Sequence, residues 1–281
     1  MPLSVHHALA SGVIFPLMYY VVRYRRRLVS KNLRLSFPEK SETERKAIAK
    51  AFYKQFADTI VESIYGYNMS DEEMRKRVVF KNMEEVNRLV DAAGGGIFTL
   101  AHIGNWEWIA SVQQWLNPGV TEMNIYRPLK NKALDRLMLD IRSKRGGVCV
   151  EKQRVLREMI RYRAEHKPVT IGLLCDQKPR PEVTRTWLTF LNQETGFLDG
   201  GEVLGKKFGF PVFYADIKRP KRGYYQVDVQ VLSATPETTA EGEITTAYAR
   251  SLEQNIITQP ELWLWTHNRW KWKKKVEGVS E

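Results

Sequence analysis

Only two cysteines, Cys149 and Cys175, occur in the chain, and they neither form a CxxC pair nor join a Cys/His cluster with metal-ligand spacing. A disulfide framework and a structural zinc are therefore not expected, and a reducing compartment fits. No serine sits in a GxSxG elbow after a strand and no Walker loop is present, which removes two common catalytic classes. Internal repeats and long Pro/Ser linkers are lacking as well. Charge is missing from the first 22 residues, which hold no Lys, Arg, Asp or Glu. The apolar run there, residues 8–22, falls short of the roughly 20 apolar residues of a spanning helix and contains Gly12 and Pro16. A signal peptide carries its charges before its apolar region, whereas Arg23, Arg25, Arg26, Arg27, Lys31 and Arg34 follow this one. Residues 1–35 read as an uncleaved anchor or interfacial helix with a basic flank facing the cytoplasm. The competing reading is a buried helix with a solvated basic exit.

What is present is enough for a core: 43% of the 281 residues are hydrophobic. The 44 Lys and Arg against 32 Asp and Glu leave a formal charge of +12, which favours an anionic partner: lipid headgroups, phosphorylated sugars, an acidic carrier or nucleic acid. Ile48, Phe52, Phe56, Ile60 and Ile64 recur every four residues and predict a helix over 39–67, with Ser41 and Glu44 as a capping box. Ser70 caps a second short helix in SDEEMRKRVVF, and a third covers 82–92. Strands are predicted at IFTLA (97–101), 123–126, 169–175, 212–217 and 225–232, separated by helices at 131–145, 153–165, 199–208 and 237–258. This alternation predicts an α/β domain, residues 36–281, with a mostly parallel central sheet flanked by helices.

The segment IFTLAHIGNWEWIA puts His102 at the end of a buried strand and Glu107 in the first turn of the next helix. Sites in parallel α/β sheets gather outside the carboxyl ends of strands. With a tight turn at Gly104, the Glu107 carboxylate could reach one imidazole nitrogen and leave the other to accept a proton. HxxxxE is not the i, i+4 spacing of a zinc helix, and no protein nucleophile is evident. A substrate hydroxyl deprotonated by neutral His102 and attacking a thioester fits these residues. Spacing alone leaves open an ordinary strand-end His and a helix-capping Glu.

HIGNWE resembles the Hx4[DE] motif of the lysophospholipid acyltransferase superfamily. Together with RYRRRLVSKNLRLSFPE, IYRPLKN, CDQKP and LWLWTHNRWKWK it makes nearly the whole chain similar to the late acyltransferases of bacterial lipid A biosynthesis. The resemblance implies a glycerol-phosphate-acyltransferase-like fold, His102 as base, Glu107 as its partner, Arg127 as a phosphate or oxyanion ligand, and Asp176 and Gln177 in the site wall. It implies acyl carrier protein as donor, with acyl-CoA as the alternative, a phosphorylated glycolipid acceptor, a bacterial inner-membrane location on the cytoplasmic face, and no metal or redox cofactor. Chemistry alone also allows a structural salt bridge for Arg127 and a turn role for Asp176.

At the carboxyl end, Trp263, Trp265, His267, Arg269, Trp270 and Trp272, followed by Lys273 to Lys275, suit a membrane surface. Trp263 and Trp265 also read as one face of a core strand, and His267 as structural. Two further readings stand: the same fold acting on a phosphatidylinositol mannoside, aminolipid or lysophospholipid, and a non-catalytic basic module for membrane or nucleic acid. The second leaves His102 and Glu107 without a role, and no nucleic-acid-binding motif is present, so nucleic acid is not expected as a partner.

Overall fold

The computed structural model describes residues 1–272 and residue 274, so Lys273 and Lys275 of the basic tail lie outside it. Helix α1 spans Leu3–Val21 and turns by 84° into α2, Arg26–Ser36. No single helix among the described residues is long and apolar enough to cross a membrane. One side of α1 packs Leu3, Ala10 and Phe15 into the core, and His7 Nε2 donates to the Glu62 carboxylate at 2.8 Å on α3, Glu42–Asn68. The Ser41–Glu44 capping box is formed, and α3 begins close to its predicted start.

Ser70 caps α4, Asp71–Arg77, as its sequence predicts. The helix stops earlier than expected, because Val78–Lys81 forms strand β1. Val78, Val79 and Phe80 are β-branched or aromatic, and their pairing with another strand outweighs helical continuation. Helix α5, Met83–Ala93, leads through Gly94 into β2, Gly95–Leu100, which is buried throughout. Only glycine fits at Gly95: an added Cβ would lie 2.5 Å from the Phe210 ring and the Val169 carbonyl.

After β2 come β3 (Thr121–Tyr126), α6 (Lys132–Ser143), β4 (Val148–Glu151), α7 (Val155–Ala164) and β5 (Val169–Leu174). A hairpin of β6 (Thr186–Phe190) and β7 (Gln193–Phe197) follows, then α8 (Gly200–Phe208), β8 (Val212–Lys221), β9 (Tyr224–Ser233) and α9 (Glu243–Thr258). The seven-stranded sheet has the order β1-β9-β8-β2-β5-β3-β4. It is mostly parallel, as expected, but mixed: β8 and β9 are antiparallel, so β9 and its parallel neighbour β1 run against the rest. Strand side chains alternate between faces. Ile97, Met123, Ile171 and Val212 pack with Val155 and Met159 of α7 and Phe208 of α8. Phe98 and Leu100 take the opposite face, in one cluster with Ile109 and Val112 of the 3-10 helix Trp106–Gln114.

Candidate active site

Strands β2 and β5 are adjacent and parallel with Leu100 level with Leu174, so both chains leave the sheet at one rim. That register puts His102 and Asp176, each two residues past its strand, side by side. The His102 Nδ1 lies 2.7 Å from Asp176 Oδ1, and the His102 backbone N–H donates to Asp176 Oδ2 at 3.0 Å. Trp263 Nε1 donates to the same Oδ2 at 2.9 Å. Asp176 is thus a buried carboxylate with three donors, which is more than a turn-forming role requires. Burial alone would raise its pKa; the charge and hydrogen bonds of His102, with the backbone and Trp263 donors, outweigh burial and hold it at about 2.

An ionised carboxylate only accepts, so Nδ1 carries the proton and Nε2 keeps its lone pair. Gln177 Nε2 faces His102 Nε2 at 3.2 Å, in the sense of an amide donating to that lone pair. Burial pushes the His102 pKa down, and the Asp176 charge and hydrogen bond more than reverse this, so it ends above its ordinary 6.5. The Trp106 ring stands edge-on to the imidazole with centroids 5.1 Å apart.

Glu107 occupies a different place from the one its spacing suggested. Gly104 does turn the chain in the left-handed region, with φ +58°. The 3-10 helix that follows aims Glu107 at α6, where Arg142 grips both carboxylate oxygens at 2.7 Å and Trp106 Nε1 donates at 3.1 Å. A planar guanidinium matches a carboxylate bidentately, and this charge-assisted pair takes the anion that the loop would otherwise offer to His102. The expected imidazole–Glu107 hydrogen bond is therefore absent, and Asp176 holds the ring in its stead. Glu107 acts on His102 only through its charge, which favours the protonated ring.

His102, Trp106, Glu107 and Arg142 line a cavity of about 480 Å³, a volume typical of a small-ligand site. Its wall is otherwise mostly apolar, with Phe98, Leu100, Ile109, Val112, Leu134 and Met138. Arg127 also lines it, exposed after β3, and no salt bridge involves it among the described residues. The salt-bridge reading of Arg127 thus has no partner, and its guanidinium is open to a ligand. Among the described residues no group of three His, Cys, Asp or Glu is placed to hold a metal ion.

Arg142 and Trp263 are the site residues that sequence reasoning missed. Arg142 lies on a helix face 35 residues from Glu107, and nothing in its local sequence marks it. The Trp263 segment runs beside the His102 loop: Leu264 N–H donates to the His102 carbonyl at 3.1 Å and Gly104 N–H to that of Leu262 at 2.9 Å. Trp263 and Trp265 are buried core residues, whereas Trp272 is 44% exposed. His267 accepts from the Lys178 N–H at 3.3 Å, and burial pushes its pKa down to about 4, which suits its structural reading.

Residues 1–272 match the family described as bacterial lipid A biosynthesis acyltransferase. The chain is also similar to the lipid A biosynthesis lauroyltransferase of Escherichia coli (strain K12), with 25% identity over 297 residues that cover 99% of this chain and 89% of that relative.

Proposed function

The chain belongs to the bacterial lipid A biosynthesis acyltransferase family, and from that premise we propose that it moves a fatty acyl chain from acyl carrier protein to a hydroxyl of a phosphorylated lipid A precursor. The observation that carries the mechanism is the 2.7 Å His102–Asp176 pair, whose imidazole lines a largely apolar cavity. In this reading His102 Nε2 takes the acceptor's hydroxyl proton as that oxygen attacks the thioester carbonyl. The C–O bond forms, the C–S bond breaks, and the imidazolium returns its proton to the leaving thiolate. Asp176 holds the tautomer and stabilises the transient imidazolium. Displacing the Gln177 amide from Nε2 gives the acceptor hydroxyl its place.

Arg127 is assigned to the acceptor's phosphate. The test is transfer of a labelled acyl group from acyl carrier protein to a tetra-acylated lipid A precursor, with and without its phosphates. Wild type is expected to label the phosphorylated acceptor. Arg127→Ala is expected to raise the acceptor KM about tenfold or more and to narrow the difference between the two acceptors. No labelling of either acceptor by wild type would overturn the substrate assignment, and an unchanged preference in the variant would make Arg127 structural.

The donor is acidic, and a cleft of about 1060 Å³ lined by Arg23, Arg25, Arg26, Arg27, Lys31 and Arg34 supports docking of such a partner near the elbow between α1 and α2. Along α1, Val5, Leu9, Val13, Leu17 and Val21 are exposed at every fourth residue. This stripe and its basic flank suit an in-plane contact with the cytoplasmic leaflet of the inner membrane. Flotation with anionic vesicles is expected to carry wild type upward and to lose a Val13→Asp, Leu17→Asp double variant of unchanged fold. Equal flotation of both would remove the stripe from the contact.

A further inference from the structure

Asp176 holds the ring of His102, whereas α3 holds the loop that follows it. Thr59 Oγ1 donates to the Gly104 carbonyl at 3.0 Å, and the buried Glu62 takes the next residue. Glu62 Oε2 accepts from Asn105 Nδ2 at 3.3 Å and from the Tyr225 hydroxyl at 2.7 Å, and Oε1 accepts from His7 Nε2 at 2.8 Å. Its backbone carbonyl accepts from the Trp108 indole at 3.0 Å. Burial alone would raise the Glu62 pKa; the hydrogen bonds of His7 and Tyr225 and the Arg219 charge outweigh burial and hold it below the ordinary carboxylate value. An ionised carboxylate only accepts, so all three side chains around it are donors.

Asn105 is the residue from which the 3-10 helix Trp106–Gln114 starts, yet its side chain caps nothing there and is turned to α3 instead. Its position therefore decides where Trp106 stands against the imidazole and where Glu107 meets Arg142. At the other end of this network is α1. His7 lies on its inner side, and Val5, Leu9, Val13 and Leu17 are exposed on its outer one. Arg222 Nη2 donates to the His7 carbonyl at 2.9 Å and to Ser11 Oγ at 2.8 Å, while Arg222 Nε donates to Asp58 of α3 at 2.9 Å. A continuous run of hydrogen bonds thus leads from α1 through Glu62 to the catalytic loop.

Resting on the acyl-transfer reading above, we propose that Glu62 is a positioning residue for the catalytic loop, and that through His7 it makes turnover depend on how α1 is seated. Without the His7 donor, Oε1 is a buried acceptor with no partner, and the carboxylate shifts to recover one. The Asn105 bond is the longest of the three to the side chain, so it gives first. The start of the 3-10 helix then moves, and with it Trp106 against the imidazole. A misplacement of about 1 Å at reacting groups costs up to about 10²-fold in rate.

The test is kcat and acceptor KM for wild type, His7→Ala, His7→Gln, Asn105→Ala and the His7→Ala, Asn105→Ala double variant, each beside a thermal melt. His7→Ala is expected to lower kcat about tenfold with KM changed less than about twofold, and His7→Gln, whose amide also offers a donor, to restore it. Asn105→Ala is expected to lower kcat about 10²-fold and the double variant no further, because members of one hydrogen-bond network are not additive. Ser11→Ala loses a bond that holds α1 without touching Glu62 and should keep the wild-type kcat. Single losses that multiply to about 10³-fold in the double variant overturn the proposal, since His7 then acts independently of Asn105. Equal losses in His7→Ala and Ser11→Ala overturn it too, since α1 then serves only as packing. Where Asn105→Ala does not fold, Glu62→Gln takes its place in the cycle with the same expectation. If wild type transfers no chain at all, the substrate reading fails separately, and amide hydrogen exchange over residues 102–108 still reads the relay. Exchange there should be faster in folded His7→Ala than in wild type and His7→Gln. Exchange that His7→Ala leaves unchanged counts against the relay in the same way.

Discussion

Replacing His102 with alanine is expected to lower acyl transfer by roughly 10²–10⁴-fold, the range that a positioned general base contributes. Nε2 is the one nitrogen of the ring free of a proton, and it faces the cavity that also holds Arg127 and Gln177. The carboxylates near it are engaged elsewhere: Glu107 is bound by Arg142, and Asp176 is enclosed behind the ring. The fold should survive, because Asp176 keeps the residue-102 backbone donor and the Trp263 indole. Losing one of three donors to a buried carboxylate costs about 1–3 kcal/mol. The measurement is initial rate beside a thermal melt. Near-normal turnover in a folded variant would remove His102 from the chemistry.

The strands that build this rim were legible because each is a short apolar run bounded by glycine or polar residues. Elements with weaker local signals were not. Val78–Lys81 follows the helical stretch DEEMRKR without punctuation, so β1 reads as its continuation. Strand β4 is only four residues long, and the β6–β7 hairpin turns at Leu191 and Asn192, both at positive φ, without the glycine that usually signals such a turn. His102 was legible from its place at a strand end, and Asp176 and Gln177 as site-wall residues only through the family resemblance. Which carboxylate meets the ring was not. Hx4E presents Glu107 as the near candidate, while Asp176 is 74 residues away and arrives only through the β2–β5 register. The tryptophans at the carboxyl end show the same limit, since an indole suits a membrane interface and a core equally well until packing decides. Trp263 turns out to orient Asp176, a task that needs a buried N–H donor.

The exchange of Glu107 for Asp176 as the ring's partner leads to the second large effect, expected in Asp176→Asn. An amide at this position can donate to Nδ1, which would move the imidazole proton to Nε2 and leave no base facing the substrate; in a His–Asp hydrolase the same change costs about 10⁴-fold. A loss of about 10³–10⁴-fold in kcat is expected here, with little change in acceptor KM. Glu107→Gln removes a charge but leaves Nδ1 paired with Asp176, so a smaller loss, about 10–10²-fold, is expected from loosening Arg142 and Trp106 at the cavity wall. The pH profile separates the two roles. Asp176 raises the His102 pKa above 6.5, and the protonated ring cannot accept a proton, so wild-type kcat/KM should fall as pH drops through a value above 6.5. Residual activity in Asp176→Asn should have that acid limb displaced to lower pH, because the stabilising charge is gone. Glu107→Gln should displace it only slightly, since the Glu107 charge is the lesser contribution. A Glu107→Gln variant that loses more activity than Asp176→Asn and shifts the limb further would restore Glu107 as the orienting carboxylate and leave Asp176 as a structural neighbour.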